Sequence, residues 1–148
     1  MAAERTARAV WRGNLLQGSG EVSTESTSVL VSQPVSWAAR TEAPEGKTSP
    51  EELLAAAHAA CYSMALSGGL DRAGTPPERL EVTATASFDK VGEGWKVTTM
   101  ELRVRGTVPG ADQAGFEEAA RAAGEGCPIS GALKGNVDIR VTAELVSG

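Results

Sequence analysis

The stretch that decides the fold is Ser49-Pro50-Glu51-Glu52-Leu53-Leu54-Ala55-Ala56-Ala57-His58-Ala59-Ala60-Cys61. A serine hydroxyl caps orphan N–H groups, Pro50 has its φ preset for a first helical position, and Glu52 follows at capping-box spacing. These signals predict a helix from Pro50 to about Gly68, with Cys61 in its middle. The segment is apolar nearly all round, which marks a helix buried in a core and not one lying on a surface. Such a helix needs cover on every side. One small sheet cannot supply it, so a second copy of the chain is expected, most simply as an isologous dimer.

Upstream of this helix, Thr6–Trp11 and Gly20–Glu25 alternate polar and apolar residues on either side of a Gly/Asn/Gln-rich gap, the pattern of a hairpin. Ser28–Val35 reads as a third strand, and Arg40–Ser49, rich in Pro, Gly and charge, as a loop. Downstream, Leu80–Lys90 and Trp95–Val108 alternate across Val91-Gly92-Glu93-Gly94 as a long hairpin. Asp112–Ala123 has helical spacing and is expected to stop at Gly124. Cys127-Pro128-Ile129-Ser130 opens a short helix, and Val137–Val146 alternates as a last strand. Hairpins in place of parallel crossovers predict an α+β fold with mainly antiparallel sheet.

With 148 residues the chain fits a single domain, residues 1–148, and a domain of that size buries roughly 70% of its unfolded surface. Hydrophobic residues at 41% and charged residues at 22% are ordinary globular values. The net charge of -5, without a basic run interleaved with aromatics, speaks against nucleic acid and anionic membranes as partners. Met1–Val10 lacks an apolar run of signal-peptide length, and no stretch reads as a membrane span, so the expected location is the cytoplasm. Two cysteines in a reducing compartment favour a catalytic or metal role over a structural disulfide, while two inert buried thiols stay open as the alternative.

Chemically, Cys61 alone is a weak nucleophile. A thiol attacks as its thiolate, and burial raises the pKa unless a cation compensates. His58, the only histidine, raises the thought of a Cys61/His58/Cys127 metal set, but no short paired ligand spacing accompanies it. It reads as a packing residue that finds a hydrogen bond, Glu52 as a capping partner, and Trp11, Trp37 and Trp95 as core or interface residues. Ser36-Trp37-Ala38 is also placed to line an apolar mouth.

Arg40, the Ser49–Cys61 stretch and the distant Gly126-Cys127-Pro128-Ile129-Ser130 together closely resemble the OsmC/Ohr family of osmotically inducible and organic hydroperoxide resistance proteins, the OsmC branch above all. The likeness runs from about Val10 to the C-terminus. It implies an intertwined homodimer in which mainly antiparallel sheets wrap a buried central helix. It further implies a thiol peroxidase of oxidative-stress defence, using no metal, flavin or other cofactor. By motif position Cys61 is the peroxidatic cysteine and Cys127 the resolving one; Arg40 is the cation at the peroxidatic sulfur and Glu51 the carboxylate that holds it. An organic hydroperoxide is the implied substrate, and an external dithiol, such as a lipoyl protein, the implied reductant. A non-catalytic or redox-sensing binding protein on the same fold is the rival reading.

Overall fold

The computed structural model describes residues 1–147, which form two compact units, Met1–Leu53 and the segment from Leu54 onward. In the first unit, β1 (Ala7–Arg12), β2 (Ser19–Thr24) and β3 (Gln33–Val35) make an antiparallel sheet in that order. The third strand is shorter than its alternation predicts. Ser and Thr hydroxyls compete for the backbone there: Thr24 Oγ1 accepts the Leu30 N–H at 3.1 Å, and Thr27 Oγ1 the Val29 N–H at 3.4 Å, which leaves bends where a ladder would form.

A second correction concerns Arg40–Ser49. Arg40 does not lie in a loop but in a short helix, α1 (Trp37–Thr41), capped by Ser36, whose Oγ accepts the Ala39 N–H at 3.1 Å. Helix α2 (Pro50–Arg72) then begins where the sequence places it, with Ser49 Oγ accepting the Glu52 N–H at 3.1 Å. The Glu52 carboxylate takes the Thr48 hydroxyl at 2.8 Å in place of the reciprocal capping-box bond.

α2 passes through Gly68 and Gly69 and ends at a Schellman motif. Gly74, at φ 85°, donates to the Asp71 carbonyl, and Thr75 N–H reaches the Leu70 carbonyl. Among the described residues, α2 is one helix long and apolar enough by length and composition to cross a membrane, contrary to the sequence expectation. It is instead the core helix of the second unit. Ala55, His58, Tyr62, Leu66 and Leu70 form one buried stripe, whereas Ala56, Ala57, Ala60 and Met64 on other sides are exposed in the single chain, Met64 at 72%.

That unit continues with β4 (Arg79–Val91) and β5 (Gly94–Thr107), an antiparallel hairpin turning at Gly92 with φ 64°. Helices α3 (Gln113–Gly126) and α4 (Pro128–Leu133) follow, then β6 (Asp138–Ser147). β6 pairs parallel with β5, because α3 and α4 carry the chain back before it re-enters the sheet. The fold is thus α+β with two small sheets, and the parallel pairing is the exception among its ladders.

α3 overruns its expected stop because Gly124 is a packing glycine: a Cβ there would stand 2.9 Å from Val141 Cγ2. Gly106 plays the same part beneath Phe116, whose Cζ would lie 2.5 Å from an added Cβ. Phe116, Met100, Leu102 and Val104 are fully or almost fully buried with Tyr62, whose hydroxyl donates to the Ala120 carbonyl at 2.8 Å.

Candidate active site

Cys61 sits half-buried in the middle of α2, and Cys127 is buried at the junction of α3 and α4. The junction is tight for local reasons. Cys127 N–H closes α3 onto the Ala123 carbonyl at 2.9 Å, its own backbone is extended, and Pro128 starts α4 at once. Both thiols are free, and their Sγ atoms lie 3.0 Å apart. Sixty-six residues of sequence separate them. The separation exceeds the roughly 2.05 Å of a disulfide bond.

Sulfur–sulfur geometry alone lets either thiol donate, so the surroundings decide where the charge rests. Burial pushes the Cys61 thiol up, and the hydrogen bond with Cys127 pushes it further, opposed by the Ile129 N–H; the charge on Cys127 adds to the rise. Burial also pushes Cys127 up. The contact with Cys61, the N–H and hydroxyl of Ser130 and the Ile129 N–H outweigh that, and its net shift is downward. These N–H groups act as oriented donors of the first α4 turn without closing a tight N-cap bond.

His58 is the packing residue with a hydrogen bond that its sequence context suggests, but the sequence does not name its partner. His58 Nε2 and Ser130 Oγ meet at 2.8 Å, both residues buried. Among the described residues, His58 Nδ1 has no hydrogen-bond partner. Burial holds the imidazole below its usual pKa, so the ring is neutral around pH 7. The signal that finds Ser130 is its offset from Cys127: a residue at the third helical position carries its N–H toward the N-cap side chain. No three His, Cys, Asp or Glu side chains among the described residues converge as a metal set.

In the first unit, Arg40 and Glu51 form a bidentate pair. Arg40 Nε lies 2.8 Å from Glu51 Oε1, and Nη2 lies 3.0 Å from Oε2. Glu51 is buried, and a buried carboxylate persists only when paired in this way. The Arg40 guanidinium also stands 5.8 Å from the centre of the Trp37 ring. Trp11, Leu15, Val35, Trp37, Arg40 and Pro50 line a mostly apolar cavity of about 280 Å³. The four residues singled out from the sequence are thus joined as two pairs, Arg40 with Glu51 and Cys61 with Cys127, each inside its own unit.

The sequence model of the family described as "OsmC-like protein" matches residues 43–142. The chain belongs to the OsmC-like family. Its resemblance to Peroxiredoxin OsmC of Escherichia coli (strain K12) is 42% identity over 139 residues, 94% of this chain and 96% of that protein. The "Organic hydroperoxide resistance protein" of Xanthomonas axonopodis pv. citri (strain 306) is 32% identical over 97 residues, 64% of this chain and 66% of the relative. Among solved structures, the organic hydroperoxide resistance protein OhrB of Bacillus subtilis superposes with TM-score 0.73 at 29% identity, covering 95% of this chain and 97% of that one. An organic hydroperoxide resistance protein OsmC from Legionella pneumophila gives 0.70 at 26% identity, covering 97% and 99%. The OsmC-like match contains Glu51, Cys61 and Cys127; Arg40 lies just ahead of it, within the longer likeness to Peroxiredoxin OsmC.

Proposed function

We propose that this chain is a cysteine-based peroxidase that reduces organic hydroperoxides to alcohols as part of oxidative-stress defence in the cytoplasm. The observation that carries the reading is the pair of free sulfurs 3.0 Å apart, one reachable and one buried, in an OsmC-like chain. The relatives' names, peroxiredoxin and organic hydroperoxide resistance protein, support a peroxide-related stress function.

Exposure favours Cys61 as the attacking group, since peroxide cannot reach Cys127, which is 1% exposed. The Cys61 proton passes to the Cys127 thiolate, and Cys61 Sγ attacks the distal peroxide oxygen. The O–O bond breaks, the alkoxide takes a proton from solvent and leaves as the alcohol, and Cys61 becomes a sulfenic acid. The Cys127 thiol then attacks the Cys61 sulfur; the S–O bond breaks and water leaves with the Cys127 proton. Arg40 serves as the cation that stabilises the attacking thiolate and Glu51 as the carboxylate that holds Arg40. An external dithiol, such as a lipoyl group on a protein, reduces the disulfide. The apolar walls of the cavity beside Arg40 fit the alkyl or aryl part of a hydroperoxide.

Cys127→Ser tests the division of labour. With dithiol and cumene hydroperoxide it should consume about one equivalent of peroxide and then stall, with a Cys61 sulfenic acid captured by a dimedone-type reagent. Sustained cycling at the wild-type rate would remove Cys127 from the mechanism.

The functional unit is a homodimer, with neither nucleic acid nor membrane as partner. The exposed apolar side of α2 at Ala56, Ala60 and Met64 favours a second copy as its cover. Sedimentation should give twice the chain mass for wild type and a shift toward monomer for Met64→Glu, because a carboxylate buried in that face would have no partner. A wild-type monomer at micromolar concentration would exclude the dimer.

A further inference from the structure

Helix α4 meets α2 through two side-chain contacts, and the proposed chemistry uses one of them. Cys127, the N-cap of α4, is buried with its sulfur 3.0 Å from that of Cys61. Ser130 is the one buried residue within α4 itself, and its Oγ meets the Nε2 of the fully buried His58 at 2.8 Å. His58 stands three residues before Cys61 on α2, and Ser130 three residues after Cys127, so each pair is about one turn apart on the same side of its helix. Two rungs therefore join the helices, a sulfur contact and a hydrogen bond, in reversed order along the two. The rest of α4 is held more loosely. Ile129 and Leu133 are partly buried against the core, and Pro128, Gly131 and Ala132 are exposed. A helix of six residues has little stability of its own, so its place depends on what it is fastened to. Because both partners of the hydrogen bond are buried, water does not replace it when one of them is removed.

We infer that His58 and Ser130 are positioning residues whose hydrogen bond seats α4 on α2 and so keeps the Cys127 sulfur within closing distance of Cys61. This deepens the peroxidase reading and rests on it for its role in turnover. Two tethers between the same two elements reinforce each other: with one in place, the other closes as an intramolecular step at high effective concentration. The sulfurs, 3.0 Å apart, need to approach by only about 1 Å to bond. Before they bond, the hydrogen bond supplies the seat. Once the disulfide has formed it holds α4 by itself, so loss of the hydrogen bond is felt most in the reduced protein. There α4 gains freedom that closure must remove again, and the disulfide becomes easier to reduce. Both residues act through the place of Cys127, not on peroxide. In turnover, Ser130→Ala should be driven to sulfinic acid by about tenfold less peroxide, because the sulfenic acid waits longer for Cys127.

The deciding test needs no peroxide. The Cys61–Cys127 disulfide is formed with diamide and equilibrated against mixtures of reduced and oxidised dithiothreitol. Two electrons and two protons pass from the dithiol to the protein disulfide as dithiothreitol closes its own S–S bond. Free thiols are then counted by alkylation and mass. In Ser130→Ala, half-reduction should come at a reduced-to-oxidised ratio about tenfold lower than in wild type, a potential about 30 mV less negative. His58→Leu should give the same shift, and the double variant no more than either alone, since all three break one bond. His58→Gln, whose amide still reaches Ser130 Oγ, should keep the wild-type ratio. A merely structural role would destabilise the oxidised and reduced forms equally and leave the ratio where it was, so an unchanged ratio in Ser130→Ala overturns the inference. Shifts that add in the double variant overturn it as well. Should Ser130→Ala not fold, His58→Leu compared with His58→Gln carries the same test. Failure here is distinct from failure of the peroxidase reading, which the activity of Cys61→Ser decides.

Discussion

Cys61→Ser will consume cumene hydroperoxide no faster than the dithiol blank, while retaining the wild-type fold. The expectation follows from access and chemistry together. Cys61 is the half-buried member of the pair and Cys127 is sealed in the core, so removing Cys61 leaves no thiol that a peroxide can reach. A serine hydroxyl in its place is far too weakly acidic to serve, and Cys127, though its thiol is the one held low, has nothing to attack. The pH dependence has a definite sign. The charge of the reduced pair must form before the Cys61 proton can shift, so the rate of the first step should rise with pH through the lowered Cys127 ionisation. It should then level well below the raised ionisation of Cys61. In the same assay Arg40→Met should slow the first step without preventing sulfenic acid from being trapped, because it removes a charge and leaves the nucleophile. Consumption by Cys61→Ser equal to that of wild type would eliminate the peroxidase and put a ligand-binding or redox-sensing role in its place.

Phe116→Ala will cost about 3–5 kcal/mol of stability, measured by denaturant titration, the range for deleting a fully buried aromatic ring. Phe116 is fully buried, and its ring edge rests on the backbone of Gly106, where an added Cβ would stand 2.5 Å from Cζ. The floor of the ring site is therefore bare main chain of β5, held rigid by ladders to β4 and β6 on its two sides. The main chain of that floor cannot collapse into the space, so a cavity term is added to the lost transfer term. The melting temperature should fall by on the order of ten degrees. A loss under about 1 kcal/mol would mean that the second unit repacks freely and that the Gly106–Phe116 fit is not a constraint.

Much of the architecture is written in short segments whose hydrogen bonds close within a few residues. Ser49 and Pro50 start α2, Asp112 caps α3 by accepting the Gly115 N–H at 2.8 Å, Gly92 turns the β4–β5 hairpin, and Cys127-Pro128 breaks one helix and begins the next. Ser36 carries a signal of the same kind; Arg40 falls in a helix because that cap outweighs the loop-like composition behind it. Glycine misleads where it serves packing: Gly124 lies inside a helix because a side chain would crowd Val141, not because the chain turns.

Apart from α1, the sequence by itself determined the helix and strand order, the chemical types that carry the site and the OsmC-like likeness, because each is written in local hydrogen bonding, in the periodicity of apolar residues or in contiguous motifs. Only the tertiary structure decided that β6 runs parallel to β5, that Cys61 and Cys127 meet at 3.0 Å, and that His58 reaches Ser130 across seventy-two residues. The reason is physical. Such contacts form where separate elements pack, and whether two side chains distant in sequence meet depends on how every element between them is placed, which no local pattern records.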